Sequence, residues 1–205
     1  MNVLILGARA PVAVEWARAF ALSGWQVMVG DSLRFPLARF SRFTSQFLRL
    51  PPVAQQFSAW QQALQQAVQR EKIDYILPTC EEALYLALVK NQLGCEVGVT
   101  ESEQMQTLHD KFRFSQWLAQ QSLLTTPETY LLTDDDAVVP FIEDSQQWVF
   151  KPVYSRFAWE TLIAPDAQKL KNLKPTKAQP WVAQRFIKGT EYCIVNYLIA
   201  YNIIV

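Results

Sequence analysis

The residues with the clearest chemical potential stand in one stretch, Trp148-Val149-Phe150-Lys151-Pro152-Val153-Tyr154-Ser155-Arg156-Phe157. Val149, Phe150 and Val153 favour a strand, and Asp144-Ser145-Gln146-Gln147 ahead of them reads as a turn. A lysine inside such an apolar strand is costly unless its charge meets a partner. Pro152 has no N–H to donate, so regular pairing should be disturbed just after Lys151. Two readings follow: an edge strand whose lysine points to water, or a lysine aimed at a phosphate. A second stretch, residues 33–43, alternates Arg34, Arg39 and Arg42 with Phe35, Phe40 and Phe43. It reads as a surface loop anchored by its phenylalanines with the arginines solvated. The other reading is an anion-binding loop at the carboxyl ends of strands, where open α/β sheets bind ligands.

Other titratable clusters carry less. Glu81 and Glu82 suit the first turn of a helix, where acids complement the dipole, or they face a ligand at a strand end. Asp134-Asp135-Asp136 fits a helix N-terminus better than a metal cluster. Cys80, Cys95 and Cys193, with the single His109, make none of the usual zinc spacings and read as reduced thiols of a cytosolic protein.

Several function classes are disfavoured by composition. Half of the 205 residues are hydrophobic and 13% aromatic, ample for a packed core. Lys plus Arg and Asp plus Glu number 19 each, so no overall field recruits nucleic acid or an anionic membrane. The apolar runs are strand-sized, too short to span a bilayer. Residues 1–6 lack a basic flank and do not read as a signal peptide.

The elements that must position these residues begin with a βαβ unit. Asn2-Val3-Leu4-Ile5-Leu6 is a continuous apolar run, as expected of a parallel strand buried on both faces. Gly7-Ala8-Arg9-Ala10 turns, Pro11 opens a helix to Leu22, Gly24 closes it, and residues 25–29 form the next strand. Asp31 then lies at a plausible distance for a ribose contact, but the loop lacks the second and third glycines of G-x-G-x-x-G. A structural unit and a dinucleotide site both stay open. Strands at 47–50, 73–78 and 95–99 and helices at 57–72 and 79–94 complete an open parallel sheet. A short helix spans 100–108. A second, from 110 to about 122, places Trp117 and Leu118 on its buried face. Further strands are expected at 126–132, 148–153, 161–163 and 181–187, with a hairpin over 191–205.

In this order the pieces resemble the ATP-grasp superfamily, specifically carboxylate–amine ligases related to biotin carboxylase and the carbamoyl-phosphate synthetase large subunit. The segments that carry the likeness are "DKFRFSQWLAQQSLLTTPETYLL", "WVFKPVYSRF" and "WVAQRFIKGTEYCI". The resemblance implies an α/β chain. Residues 1–106 would be a Rossmann-like parallel-sheet domain preceding the nucleotide domain, and 107–205 the N-terminal portion of an α+β ATP-grasp domain. By the same resemblance Lys111 and Lys151 would contact ATP phosphates. Arg185 and Ile187 would offer main-chain hydrogen bonds to adenine, Gln184 would stand near its amino group, and Glu191 would take the ribose hydroxyls. Mg2+ would accompany ATP, and a small-molecule carboxylate, activated as an acyl phosphate for attack by an amine, would be the substrate. Arg34, Arg39 and Arg42 are expected to hold that carboxylate.

Two departures accompany the likeness. The family's glycine-rich loop after the second lysine is replaced by Tyr154-Ser155-Arg156-Phe157-Ala158-Trp159, in which Ser155 and Arg156 would stand in as phosphate contacts. The family's magnesium-binding acids lie beyond the matched part, which implies a fragment that binds nucleotide without turnover. The apolar terminal residues 203–205 would leave an edge open to a second copy of the chain. The rival readings are a nucleotide-binding module without chemistry and an NAD(P)-dependent oxidoreductase.

Overall fold

The structure, a computed structural model, describes residues 1–121, 125–155, 158 and 160–190. Two compact units form, one over Met1–Met105 and one starting at Gln106. In the first, β1 (Asn2–Leu6), β2 (Gln26–Asp31), β3 (Gln46–Arg49), β4 (Tyr75–Pro78) and β5 (Glu96–Val97) pair in parallel in the order β3-β2-β1-β4-β5. β1 explains why a continuous apolar run is needed. Its Val3 and Ile5 pack on one face with Ala13 and Ala17 of α1 (Pro11–Leu22), and its Leu4 and Leu6 pack on the other. There they meet Trp60 and Leu64 of α2 (Phe57–Glu71) and Leu86 of α3 (Glu82–Val89). Gly7 turns the chain out of β1 at φ +78, and a Cβ there would lie 2.6 Å from Thr79 Oγ1. Only glycine meets both demands. The last strand is shorter than expected, two residues in place of 95–99.

α4 (Ser102–His109) and α5 (Lys111–Ala119) follow. The second unit is built on an antiparallel sheet of β6 (Thr129–Leu132), β7 (Trp148–Pro152), β8 (Leu162–Ile163) and β9 (Trp181–Arg185), in the order β6-β9-β7-β8. One face of it carries Leu132, Trp148, Phe150 and Ala183, covered by Val138, Phe141, Leu170 and Leu173. Phe141 meets Trp148 edge-on at 4.9 Å, a favoured aromatic geometry.

Two expectations are corrected here. The strand of Lys151 is interior, with β9 on one side and β8 on the other. Its ladder to β9 runs through Pro152, paired with Trp181, and it is the β8 ladder that stops at Phe150. Trp117 is 44% exposed, and the buried residue of α5 is Ser115, because the apolar stripe of that helix is narrow. After β8, α6 (Ala167–Leu170), capped by Asp166, brings Leu170 into the core. The hairpin expected over 191–205 lies outside the described residues.

Candidate functional site

Strand register assembles the site. Thr129, Gln184, Val149 and Ile163 form one row across β6, β9, β7 and β8, and Leu131, Val182 and Lys151 form the next. Residues paired across strands share a face, and alternate residues along a strand share it too. Both rows therefore occupy the face opposite the Phe150 core. On this face Lys151 Nζ donates to Gln184 Oε1 at 2.8 Å, and Gln184 Nε2 donates to Thr129 Oγ1 at 3.0 Å. Burial pulls the Lys151 pKa below lysine's ordinary value.

A second lysine is brought to the same charge centre from a helix. Asp110 caps α5: its Oδ1 accepts from the Phe112 and Arg113 amides at 3.0 and 2.9 Å. Its Oδ2 accepts from the Tyr154 hydroxyl at 2.7 Å, which pushes the Tyr154 pKa up. The cap fixes the next residue, Lys111. Lys111 Nζ donates to the carbonyls of Val153 and Ser155 at 3.1 and 2.8 Å and to Ser155 Oγ at 3.1 Å. Its pKa is lowered first by burial and then by the charge of Lys151, against the pull of Asp110. Among the described residues neither ammonium is in an ion pair with a carboxylate. Two partly buried cations that feel one another without a described carboxylate between them have the chemistry to hold an anion.

The remaining expected residues fall as follows. The Arg185 amide donates to the Glu128 carbonyl at 2.8 Å, so that N–H serves the sheet; its guanidinium lies 5.2 Å over the Trp148 ring. Ile187 is exposed. Ser155 is held by Lys111, as above. Arg156 and Glu191 lie outside the described residues. Thr129, which accepts from Gln184, escaped sequence reasoning, because only the β6–β9 register places it there.

The arginine loop follows β2. Arg39 lies 4.9 Å over Phe47 and 5.5 Å over Phe35, Arg34 lies 5.1 Å over Phe35, and Arg42 lies 4.8 Å over Phe43. Stacking of this kind leaves in-plane N–H groups for an anion. Phe35 and Phe40 are themselves 63% and 69% exposed, so they do not anchor the loop. Ala38 does: it is fully buried, and its amide donates to the Ala8 carbonyl at 2.9 Å.

Arg9 is the residue sequence reasoning passed over as part of a turn. Its guanidinium meets Asp31 at 3.2 Å, Glu82 at 2.7 Å and Glu81 at 3.3 Å. Burial works against the Arg9 charge, but the hydrogen bond and charge of Glu82, with Asp31, outweigh it and raise the pKa. Asp31 is 2% exposed and accepts from the Arg9 and Leu33 amides as well. The carboxylate considered for a ribose is thus engaged within the protein, and the two acids at the end of β4 face Arg9. The only signal available was three acids placed just after two parallel strands. Burial pushes the Cys80 thiol up and the Cys95 thiol up to about 11, so neither is a ready nucleophile.

Residues 108–205 match the RimK-like ATP-grasp domain. No curated protein matches the chain. Among solved structures, N5-carboxyaminoimidazole synthetase from Staphylococcus aureus is similar at TM-score 0.68 and 17% identity, over 90% of this chain and 46% of that one. L-amino acid ligase from Bacillus licheniformis is similar at 0.65 and 18%, over 92% and 44%. Biotin carboxylase from Campylobacter jejuni is similar at 0.64 and 13%, over 91% and 45%. The chain thus spans just under half the length of each. The segment that contains both lysines matches a RimK-like ATP-grasp domain, and the chain shares the two-sheet fold of these structures.

Proposed function

We propose that this chain is the ATP-binding part of a carboxylate–amine ligase. The observation that carries the reading is the convergence of Lys111 and Lys151, partly buried and unpaired with any described carboxylate. In such a ligase a carboxylate oxygen attacks the γ-phosphorus and ADP leaves. An amine then attacks the acyl carbon of the acyl phosphate and inorganic phosphate departs. Lys111, Lys151, Ser155 and Arg156 would hold the phosphates and Glu191 the ribose. The adenine edge offers one amino group and one ring acceptor. The Arg185 N–H is already donated to Glu128, so Arg185 can serve only through its carbonyl. The Ile187 amide, without a partner among the described residues, would be the donor. The apolar Val149 and Leu131 flank Gln184 on that face. Arg34, Arg39 and Arg42 would hold the substrate carboxylate. In related structures ADP is bound to the Staphylococcus aureus synthetase, and MgADP and bicarbonate to a dimeric biotin carboxylase domain from Hydrogenobacter thermophilus.

Magnesium would travel with the phosphates, held as usual by one or two carboxylates besides. The described residues after Lys151 do not fit that role. Asp166 Oδ1 accepts the Lys169 amide at 2.7 Å as a helix cap, and Glu160 is a lone exposed acid at φ +58. The shortage of carboxylates also supports the second reading, a module that holds nucleotide without chemistry. A cytoplasmic location and association with a second copy of the chain complete the proposal. Among the described residues no helix is long and apolar enough to cross a membrane.

Calorimetric titration tests the reading. Loss of one charged hydrogen bond costs about 1.5–3 kcal/mol, so Lys151→Ala should weaken ATP roughly 10- to 100-fold and adenosine far less. NADH should not bind, and Arg39→Ala should weaken carboxylate binding. Equal ATP affinity of wild type and Lys151→Ala would remove the assignment.

A further inference from the structure

We propose that Thr129 is a positioning residue that acts through Gln184 to fix where Lys151 presents its ammonium. The inference presupposes that Lys151 meets phosphate. It stands on the donor and acceptor identities along one hydrogen-bonded chain across three strands, β6, β9 and β7.

The Lys151 ammonium can only donate, so the Gln184 atom facing it at 2.8 Å is the carbonyl oxygen. At the other end, the Thr129 hydroxyl donates its single hydrogen to the Pro127 carbonyl at 2.9 Å. Towards Gln184, at 3.0 Å, it can therefore only accept, and the atom facing it is the amide nitrogen. A flipped carboxamide would set donor against donor at Lys151 and acceptor against acceptor at Thr129. The orientation of Gln184, ordinarily ambiguous, is fixed from both ends by groups of opposite kind.

The register explains the reach. Thr129 pairs directly with Gln184, and Gln184 pairs with Val149, two residues before Lys151 on the same face. Lys151 is the diagonal neighbour of Gln184, within range of a long side chain. Among the described residues one of its three N–H groups is held, which leaves two for an anion. The holding group is a neutral amide. It aims the cation without cancelling the charge, which a carboxylate at the same place would do.

The protein and four variants, Thr129→Val, Thr129→Ser, Gln184→Glu and Lys151→Ala, are titrated with ATP and with adenosine, and ATP is titrated across neutral to alkaline pH. Thr129→Val keeps shape and strand preference but loses the acceptor. It should lower the ratio of ATP to adenosine affinity about ten-fold, corresponding to a misaimed charged bond. Thr129→Ser should restore the ratio to within about two-fold, since it keeps the hydroxyl. Gln184→Glu should move the alkaline loss of ATP affinity to higher pH, because a carboxylate beside Lys151 favours its charged form. A merely structural defect would lower both ligands together and leave that pH unchanged. If Thr129→Val keeps the wild-type ratio while Lys151→Ala loses it, the relay is wrong and the phosphate role of Lys151 stands. Equal losses in Thr129→Val and Thr129→Ser would also overturn the relay. A wild-type ratio in Lys151→Ala would remove the phosphate reading and the relay with it.

Discussion

At the scale of single residues, the protein places charge where solvation is poor and resolves the cost in two ways. Arg9 is surrounded by Asp31, Glu81 and Glu82, so its charge is satisfied within the fold. Among the described residues Lys111 and Lys151 donate to carbonyls, a hydroxyl and a carboxamide, neutral groups that hold an ammonium without offsetting it. Burial lowers both lysine pKa values, and for Lys111 the charge of Lys151 adds to it. The sign of the pH effect follows. Phosphate needs the ammonium, which is present below the lowered pKa and lost as pH rises through it. ATP affinity should therefore fall at a pH below lysine's ordinary 10.5, whereas adenosine affinity stays flat. Titration of both ligands between neutral and alkaline pH checks this. An ATP curve as flat as that for adenosine would mean the lysines do not face the phosphates.

Among the elements, the junction between α5 and the end of β7 decides whether the two lysines can act together. Asp110 is 7% exposed and accepts three hydrogen bonds, two from its own helix and one from Tyr154, which follows β7. Lys111 adds its bonds to the carbonyls of Val153 and Ser155. Tyr154→Phe removes one hydroxyl and leaves the ring, so it isolates the tie from the packing. The expected cost is about 1 kcal/mol, with one oxygen of Asp110 left short of a donor. For a protein of this size that is a fall of roughly 2–4 °C in Tm, read by thermal denaturation. An unchanged Tm would place the strength of the junction in Lys111 instead.

For the whole molecule, two separate cores divide the chemistry. The first unit carries a parallel sheet whose strand ends hold the Arg9 cluster and the arginine loop; the second carries the lysines on an antiparallel sheet. Phosphoryl transfer needs metal ions that neutralise charge developing between the reactants. After Lys151 the 205 residues offer only Glu160, Asp166 and Glu191 as acids. Asp166 is a cap, and Glu191 is proposed for ribose. These 205 residues should therefore bind ATP and release no ADP when supplied with magnesium, carboxylates and amines. Steady ADP release abolished by Lys151→Ala would show a competent enzyme and overturn that expectation.

The sequence by itself determined most of the elements and the residues with chemical potential. Continuous apolar runs such as 2–6 suit strands buried on both faces, and a lysine among Val149, Phe150 and Val153 must have a reason to be there. Periodicity and composition act locally, which is why α1, α2 and β1 to β4 were legible. Pairing between distant strands is not local, and tertiary structure alone decided it. Register put Lys151 inside the sheet and not at its edge, and it set Gln184 beside that lysine across 33 residues of chain and Thr129 beside Gln184 across 55. It also brought Arg9, Asp31 and Glu82 together, so that an acid suited by position to a ribose was taken by an arginine instead. Spacing along a chain shows which side chains are available; which of them meet is settled by the packing of strands that are far apart in sequence.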